Sequence, residues 1–177
     1  MAMEYLHLDE RTRKFMLAEI ESDYTNKRLY LSKNLTPTGT AVFPEMLKTA
    51  ASQGNDVSLA QAIRPNLNSH EQPRRLQSGV YSAAPVMRSN AHEMLAEGEF
   101  TRFYIRGLCL RAIEDGIPAV VIYRAKHVEN ARSASAEKIG TSHSPIVLLE
   151  DLRAHPGLDT VLGLPPGPNS GLCAKLP

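Results

Sequence analysis

The chain contains no tryptophan, and aromatic residues make up only 6% of its 177 positions. That is thin for a surface that stacks unpaired bases, and it weighs against a single-strand nucleic-acid platform. A charge excess is also missing: 20 Lys+Arg stand against 19 Asp+Glu, a net charge of +1. This excludes a strongly basic, histone-like protein and an acidic, fully disordered chain. No apolar run approaches the roughly 20 residues of a membrane-spanning helix, so no membrane partner is expected. Cysteine is scarce too. Cys109 and Cys173 are the only two, too few for a disulfide framework, and whether they pair depends on a distance the sequence does not give. Residues 1–10 show no basic region followed by an apolar stretch and no small-residue cleavage site. The expectation is a chain without a secretory signal, made in a reducing compartment.

What is present reads as one α+β domain: four or five helices around a small sheet, residues 1–157, followed by an extended Pro/Gly-rich tail, residues 158–177. A first helix is predicted over 9–24, capped by Asp9, with Leu17, Ile20 and Tyr24 on its inner stripe. Alternation predicts a short strand over 28–32. Two short helices follow, over 43–52 with Pro44 in its first turn, and over 57–63 with Asn55 or Asp56 as cap and Leu59, Ala60 and Ile63 inward. Residues 66–75 read as a surface loop. Residues 80–87 read as extended, and Pro85 demotes them to an edge strand or an arm.

The strongest element is a long apolar helix over about 90–115. Asn90 and Glu93 have capping-box spacing. Glu99, Arg102 and Arg106 form one polar stripe, and Gly107 marks a place for a close neighbour. Gly116 signals the stop. The β-branched run 119–123 reads as a buried strand continuing to about 128. One or two helical turns follow over 133–139, and a last helix begins at Ser144-Pro145 and runs to about 154, with Ile146, Leu148, Leu149 and Leu152 inward.

Catalytic and cofactor motifs fail on inspection. The six histidines lack ligand spacing; His92 with Glu93, and His127 with Glu129, are the nearest local pairs, and a metal site needs three or four converging ligands. A restriction-type nuclease needs an acid two residues before Lys126, and Arg124 stands there. The glycines of the tail are interleaved with Pro165, Pro166 and Pro168, which remove the backbone donors a phosphate loop requires. Cys109, inside an apolar helix, reads as a small core residue before it reads as a nucleophile. No catalytic residue, metal or cofactor is therefore expected, and the protein reads as non-enzymatic.

A basic middle is the remaining signal. Seven Lys/Arg against four acids lie between residues 100 and 138. If Arg102, Arg106, Arg124, Lys126 and Arg132 share a face with Arg74 and Arg75, they can contact phosphates or a protein partner. Ordinary ion pairs, Arg102 with Glu99 or Arg111 with Asp115, are the plainer reading.

The stretch from Leu95-Ala96-Glu97-Gly98-Glu99-Phe100 through Leu108-Cys109, the later Tyr123-Arg124-Ala125-Lys126, and the tail Leu164-Pro165-Pro166-Gly167-Pro168-Asn169-Ser170-Gly171-Leu172 resemble a group of small proteins of bacterial and bacteriophage or prophage genomes. The resemblance spans most of the chain and brings no catalytic motif with it. It implies a structural or assembly role in a phage-like particle, such as a head decoration, connector or neck component. Its partners would be other copies of the chain or other particle proteins, with nucleic acid as the alternative. Its place would be the host cytoplasm during assembly and then the virion. Val80, Tyr81, Pro165, Pro166, Pro168 and Leu172 are the expected subunit contacts, because stiff extended segments lose little entropy on docking.

Overall fold

A computed structural model describes residues 2–129, 133–156 and 171–177. Among them are six α-helices and a three-stranded antiparallel sheet, so the fold is α+β with a small sheet. The helices are α1 (Glu10–Thr25), α2 (Pro37–Gln53), α3 (Asp56–Ile63), α4 (Ala91–Glu114), α5 (Ser133–Lys138) and α6 (Pro145–Ala154). The strands are β1 (Val120–Arg124), β2 (Ser142–His143) and β3 (Leu172–Lys175), in spatial order β2-β1-β3.

Helix α1 starts where the sequence predicts, with the Asp9 carboxylate accepting from the Thr12 amide at 3.0 Å. Its inner stripe is rotated from the expected one: Thr12, Met16, Glu19, Ile20 and Asp23 are buried, while Tyr24 is exposed. The reason lies on the facing helix, where the buried Arg106 reaches the Glu19 and Asp23 carboxylates of α1. The predicted strand 28–32 is not a strand. The Arg28 and Leu29 amides donate to the Asp23 carbonyl at 2.7 and 3.1 Å, so this segment closes the end of α1 instead of pairing.

Helix α2 begins earlier than the predicted residue 43. Thr36 caps it through the Gly39 amide, Pro37 takes the first position, and Pro44 lies inside the helix, buried. Two proline signals compete here, and the one preceded by a capping hydroxyl wins. Helix α3 is capped by Asn55, reciprocally with Ser58, and Leu59, Ala60 and Ile63 are buried as expected.

Helix α4 is the spine, packed against α1, α3 and α6. Asn90 makes no side-chain cap, so the predicted capping box with Glu93 is absent. The predicted polar stripe is also corrected: Glu99, Arg102 and Arg106 are all buried. Gly107 does admit a close neighbour. A β-carbon there would lie 2.8 Å from Met16 Cγ and 3.0 Å from Thr12 O, so α1 crosses α4 at this point.

Strand β1 ends at Arg124, short of the predicted 128, and β3 pairs with it in register Tyr123↔Cys173 and Arg124↔Leu172. The last residues of the expected tail thus belong to the sheet. Strand β2, two residues long, pairs with the other edge of β1 and lies outside the predicted elements. In α6, Leu148, Leu149 and Leu152 are buried, whereas Ile146 faces solvent. The N-terminal segment crosses this end of the molecule. The Glu4 amide donates to the Ala125 carbonyl at 2.8 Å, the Tyr123 hydroxyl donates to the Glu4 carbonyl, and the Tyr5 ring packs against Phe100 and Tyr104.

Candidate functional site

Residues 69–88 connect the 3-10 turn Arg64–Asn66 to α4, and they fold back on themselves as a hairpin. His70 bridges Val86 and Arg75 bridges Tyr81. Backbone hydrogen bonds from Met87 to Ser69, Glu71 to Pro85, Ser82 to Arg74 and Leu76 to Val80 keep one register from base to tip. Gly79 turns the tip at φ +82°, a conformation that favours glycine. Pro73 and Pro85 have no amide hydrogen to give, so the pairing stays as isolated bridges and never becomes a full ladder.

This arm keeps apolar side chains in water. Leu76 is 50% exposed, Val80 63%, Tyr81 66% and Val86 73%. The pairing sets Leu76 across from Val80, so their side chains adjoin. Arg74 and Arg75 are exposed on the same arm. At its base Glu71 holds Arg88 at 3.1 Å and reaches Arg74 at 3.7 Å. Residues 66–75 and 80–87, read from the sequence as a loop and an arm, are thus the two limbs of one ribbon. The Ser78-Gly79 dipeptide, a turn signal just before Val80-Tyr81, was the clue that joins them.

Of the other predicted contact residues, the structure brings none of the described ones to this surface. Arg106 is 1% exposed and sits between carboxylates. Its Nε donates to Glu19 at 2.7 Å, and its Nη1 and Nη2 donate to Asp23 at 2.6 and 3.0 Å. Arg153 reaches the same Glu19 at 3.0 Å. Burial alone would raise the Glu19 carboxyl, but the hydrogen bond from Arg153 and the charge of Arg106 outweigh it and hold the group below its ordinary value. Arg102 is buried beside Glu99 at 3.4 Å. Neither arginine can meet a phosphate, which removes both from the predicted basic face. Lys126 is paired with Glu97, and Arg124 is half-buried and already partnered. Arg132, Pro165, Pro166 and Pro168 lie outside the described residues. Leu172 is buried in β3, so it packs within its own domain and is withdrawn as a subunit contact.

The sequence held a sign of the buried network that was missed. Glu19 and Asp23 are four apart on α1, and Arg102 and Arg106 are four apart on α4, so each pair falls on one helix face. In the structure only Arg106 crosses to α1 and serves both carboxylates, while Arg102 stays with Glu99 on its own helix.

The two thiols are shielded. Cys109 and Cys173 are free and buried, and burial pushes both thiols up to about 12. Among the described residues, no group of three His, Cys, Asp or Glu converges on a metal position. No described helix is long and apolar enough to cross a membrane. No family model, no curated protein and no solved structure matches this chain.

Proposed function

We propose that this protein is a non-enzymatic structural or assembly protein of a bacteriophage-like particle, a head decoration, connector or neck component. The arm 69–88 makes its contacts with neighbouring subunits. One observation carries the reading: a paired ribbon with Leu76, Val80, Tyr81 and Val86 all at least half exposed. Large apolar side chains left in water along one short ribbon favour a contact surface. The partner is another copy of the chain or another particle protein.

The test is light scattering over a concentration series, with the arm variant Val80→Asp/Tyr81→Asp beside the unaltered chain. The unaltered chain is expected to form a ring or lattice. The variant is expected to stay monomeric with an unchanged thermal midpoint, because its altered side chains face water in the single chain. A unaltered chain that is monomeric at every concentration and fails to join particles overturns the reading.

A second reading is favoured by the exposure of Arg74 and Arg75 on the same arm: contact with nucleic-acid phosphates. It predicts a gel shift at low salt that weakens steeply as salt rises and is lost in Arg74→Ala/Arg75→Ala. No shift at low salt removes it.

A further inference from the structure

The two limbs of the arm have outer edges of different character. Hydrogen bonds from Ser82 to Arg74 and from Leu76 to Val80 flank the Arg75↔Tyr81 bridge, and those from Met87 to Ser69 and from Glu71 to Pro85 flank the His70↔Val86 bridge. Bonds that flank a bridged pair leave that pair's own amides and carbonyls pointing away from the facing limb. The outward groups are therefore those of His70 and Arg75 on one edge and of Tyr81 and Val86 on the other. None of these amides donates to a described residue.

The first edge is guarded and the second is not. Residues 69–76 include His70, Glu71, Arg74 and Arg75, whereas residues 80–87 carry no charged side chain. Charged side chains on an edge strand keep it from pairing with another chain. Pro85 gives no such protection, because it sits at an inward position, where its carbonyl accepts the Glu71 amide. Ala83 and Ala84, at the middle of the edge, are small and exposed, so neither holds a second backbone off.

We infer that residues 80–87 of two copies of this chain pair edge to edge, antiparallel, about a twofold axis between Ala83 and Ala84. The inference rests on the arm as the contact segment and names its partner, a second copy. The outward groups set the register. Tyr81 and Val86 lie equally far along the strand from that axis, so Tyr81 of each copy falls opposite Val86 of the other, and each match exchanges both backbone hydrogen bonds. Directly opposed side chains share one face of a sheet. Tyr81 and Val86, 66% and 73% exposed in the single chain, thus cover each other. The guarded edge, joined in the same way, sets His70 against Arg75, a basic pair, and is disfavoured. A twofold contact closes on itself, so the pair becomes the building unit of any larger assembly.

The test uses Tyr81→Cys and Val86→Cys, each made separately in the full chain. Both positions face water, so both variants are expected to melt with the unaltered chain, and the buried Cys109 and Cys173 stay silent in the folded protein. A single strand edge is a small interface, so a covalent trap reports it more sharply than size alone. Mild oxidation of a one-to-one mixture is expected to give a disulfide-linked dimer of the two variants, at least about tenfold above either variant alone, because opposed residues of the pair lie within disulfide reach and like residues do not. Adding Ala83→Asp/Ala84→Asp to both crowds like charge around the axis and is expected to abolish the cross-link. A cross-link as strong in either variant alone, one that survives the aspartates, or none in the mixture while the unaltered chain associates through its arm would each overturn the pairing and leave the arm as a contact by another route. An unaltered chain that is monomeric at every concentration overturns the pairing together with the reading it rests on.

Discussion

At Arg106 one side chain decides how two helices meet. The guanidinium is 1% exposed and reaches Glu19 with one edge and Asp23 with its end nitrogens. A buried pair of this kind is weak evidence of net stability, because desolvating the ions offsets much of their attraction. Removing one partner is different, for it strands the others. Arg106→Ala leaves two buried carboxylates short of donors and is expected to cost about 3–5 kcal/mol in urea unfolding at neutral pH. Arg106→Lys should recover only part of this, since a single ammonium cannot span both carboxylates. The pH dependence has a definite sign. The folded Glu19 carboxyl lies below its ordinary value, so its contribution is complete at neutral pH and drains away as pH falls through the folded value. The gap between Arg106→Ala and the unaltered chain should therefore narrow in acid, and a gap independent of pH would count against the pairing as its source.

Among the elements, the crossing of α1 over α4 is held close by an absent side chain. Two glycines in α4 make a matched comparison. A β-carbon at Gly107 would lie 3.0 Å from both Met16 N and Thr12 O, which are backbone atoms of α1 and cannot swing away. One at Gly98 would meet nothing within 4 Å. Gly107→Ala is thus expected to destabilise by about 1–3 kcal/mol through overpacking, against a gain in helix propensity of about 1 kcal/mol. Gly98→Ala should show that gain alone. Thermal melts of the two variants check this, and equal shifts would show that the crossing has room to spare. The Gly107 approach was legible in advance because a glycine beside Phe103 and Leu110 has few other uses. Helices α1, α3 and α6 were legible from Asp9, Asn55 and Ser144, whose side chains cap locally. The inner stripe of α1 was not. Its buried members include Thr12, Glu19 and Asp23, which look like solvent residues until the facing arginines are in place. The strand expected over 28–32 failed for the same reason: alternation speaks of one segment, while pairing needs a second. The arm was half legible, since its limbs were read separately and only their pairing makes the surface.

For the whole molecule, the question is whether the C-terminal strand is part of one cooperative unit or an added edge. Strand β3 fills one side of β1 from Leu172 to Lys175, and Cys173 and Ala174 are 1% and 0% exposed. The Ala125 amide extends the pairing to the Gly171 carbonyl at 2.7 Å. Among the described strands, undocking β3 would leave β1 with just the two-residue β2 beside it and would expose Cys173 and Ala174, so it should cost nearly as much as unfolding altogether. The cysteines report on this without any substitution. Cys109 sits in the spine helix and Cys173 in β3, and both thiols are pushed up to about 12, so neither reacts while buried. Labelling by a thiol reagent across a urea series should therefore modify both at one common rate that tracks global unfolding. If Cys173 is labelled ahead of Cys109 at low urea, β3 opens by itself. Because β3 is the only described element C-terminal to α6, that outcome would return the end of the chain to the role of a detachable arm. A common rate places it inside the domain and leaves residues 69–88 as the described segment best placed to reach a neighbour.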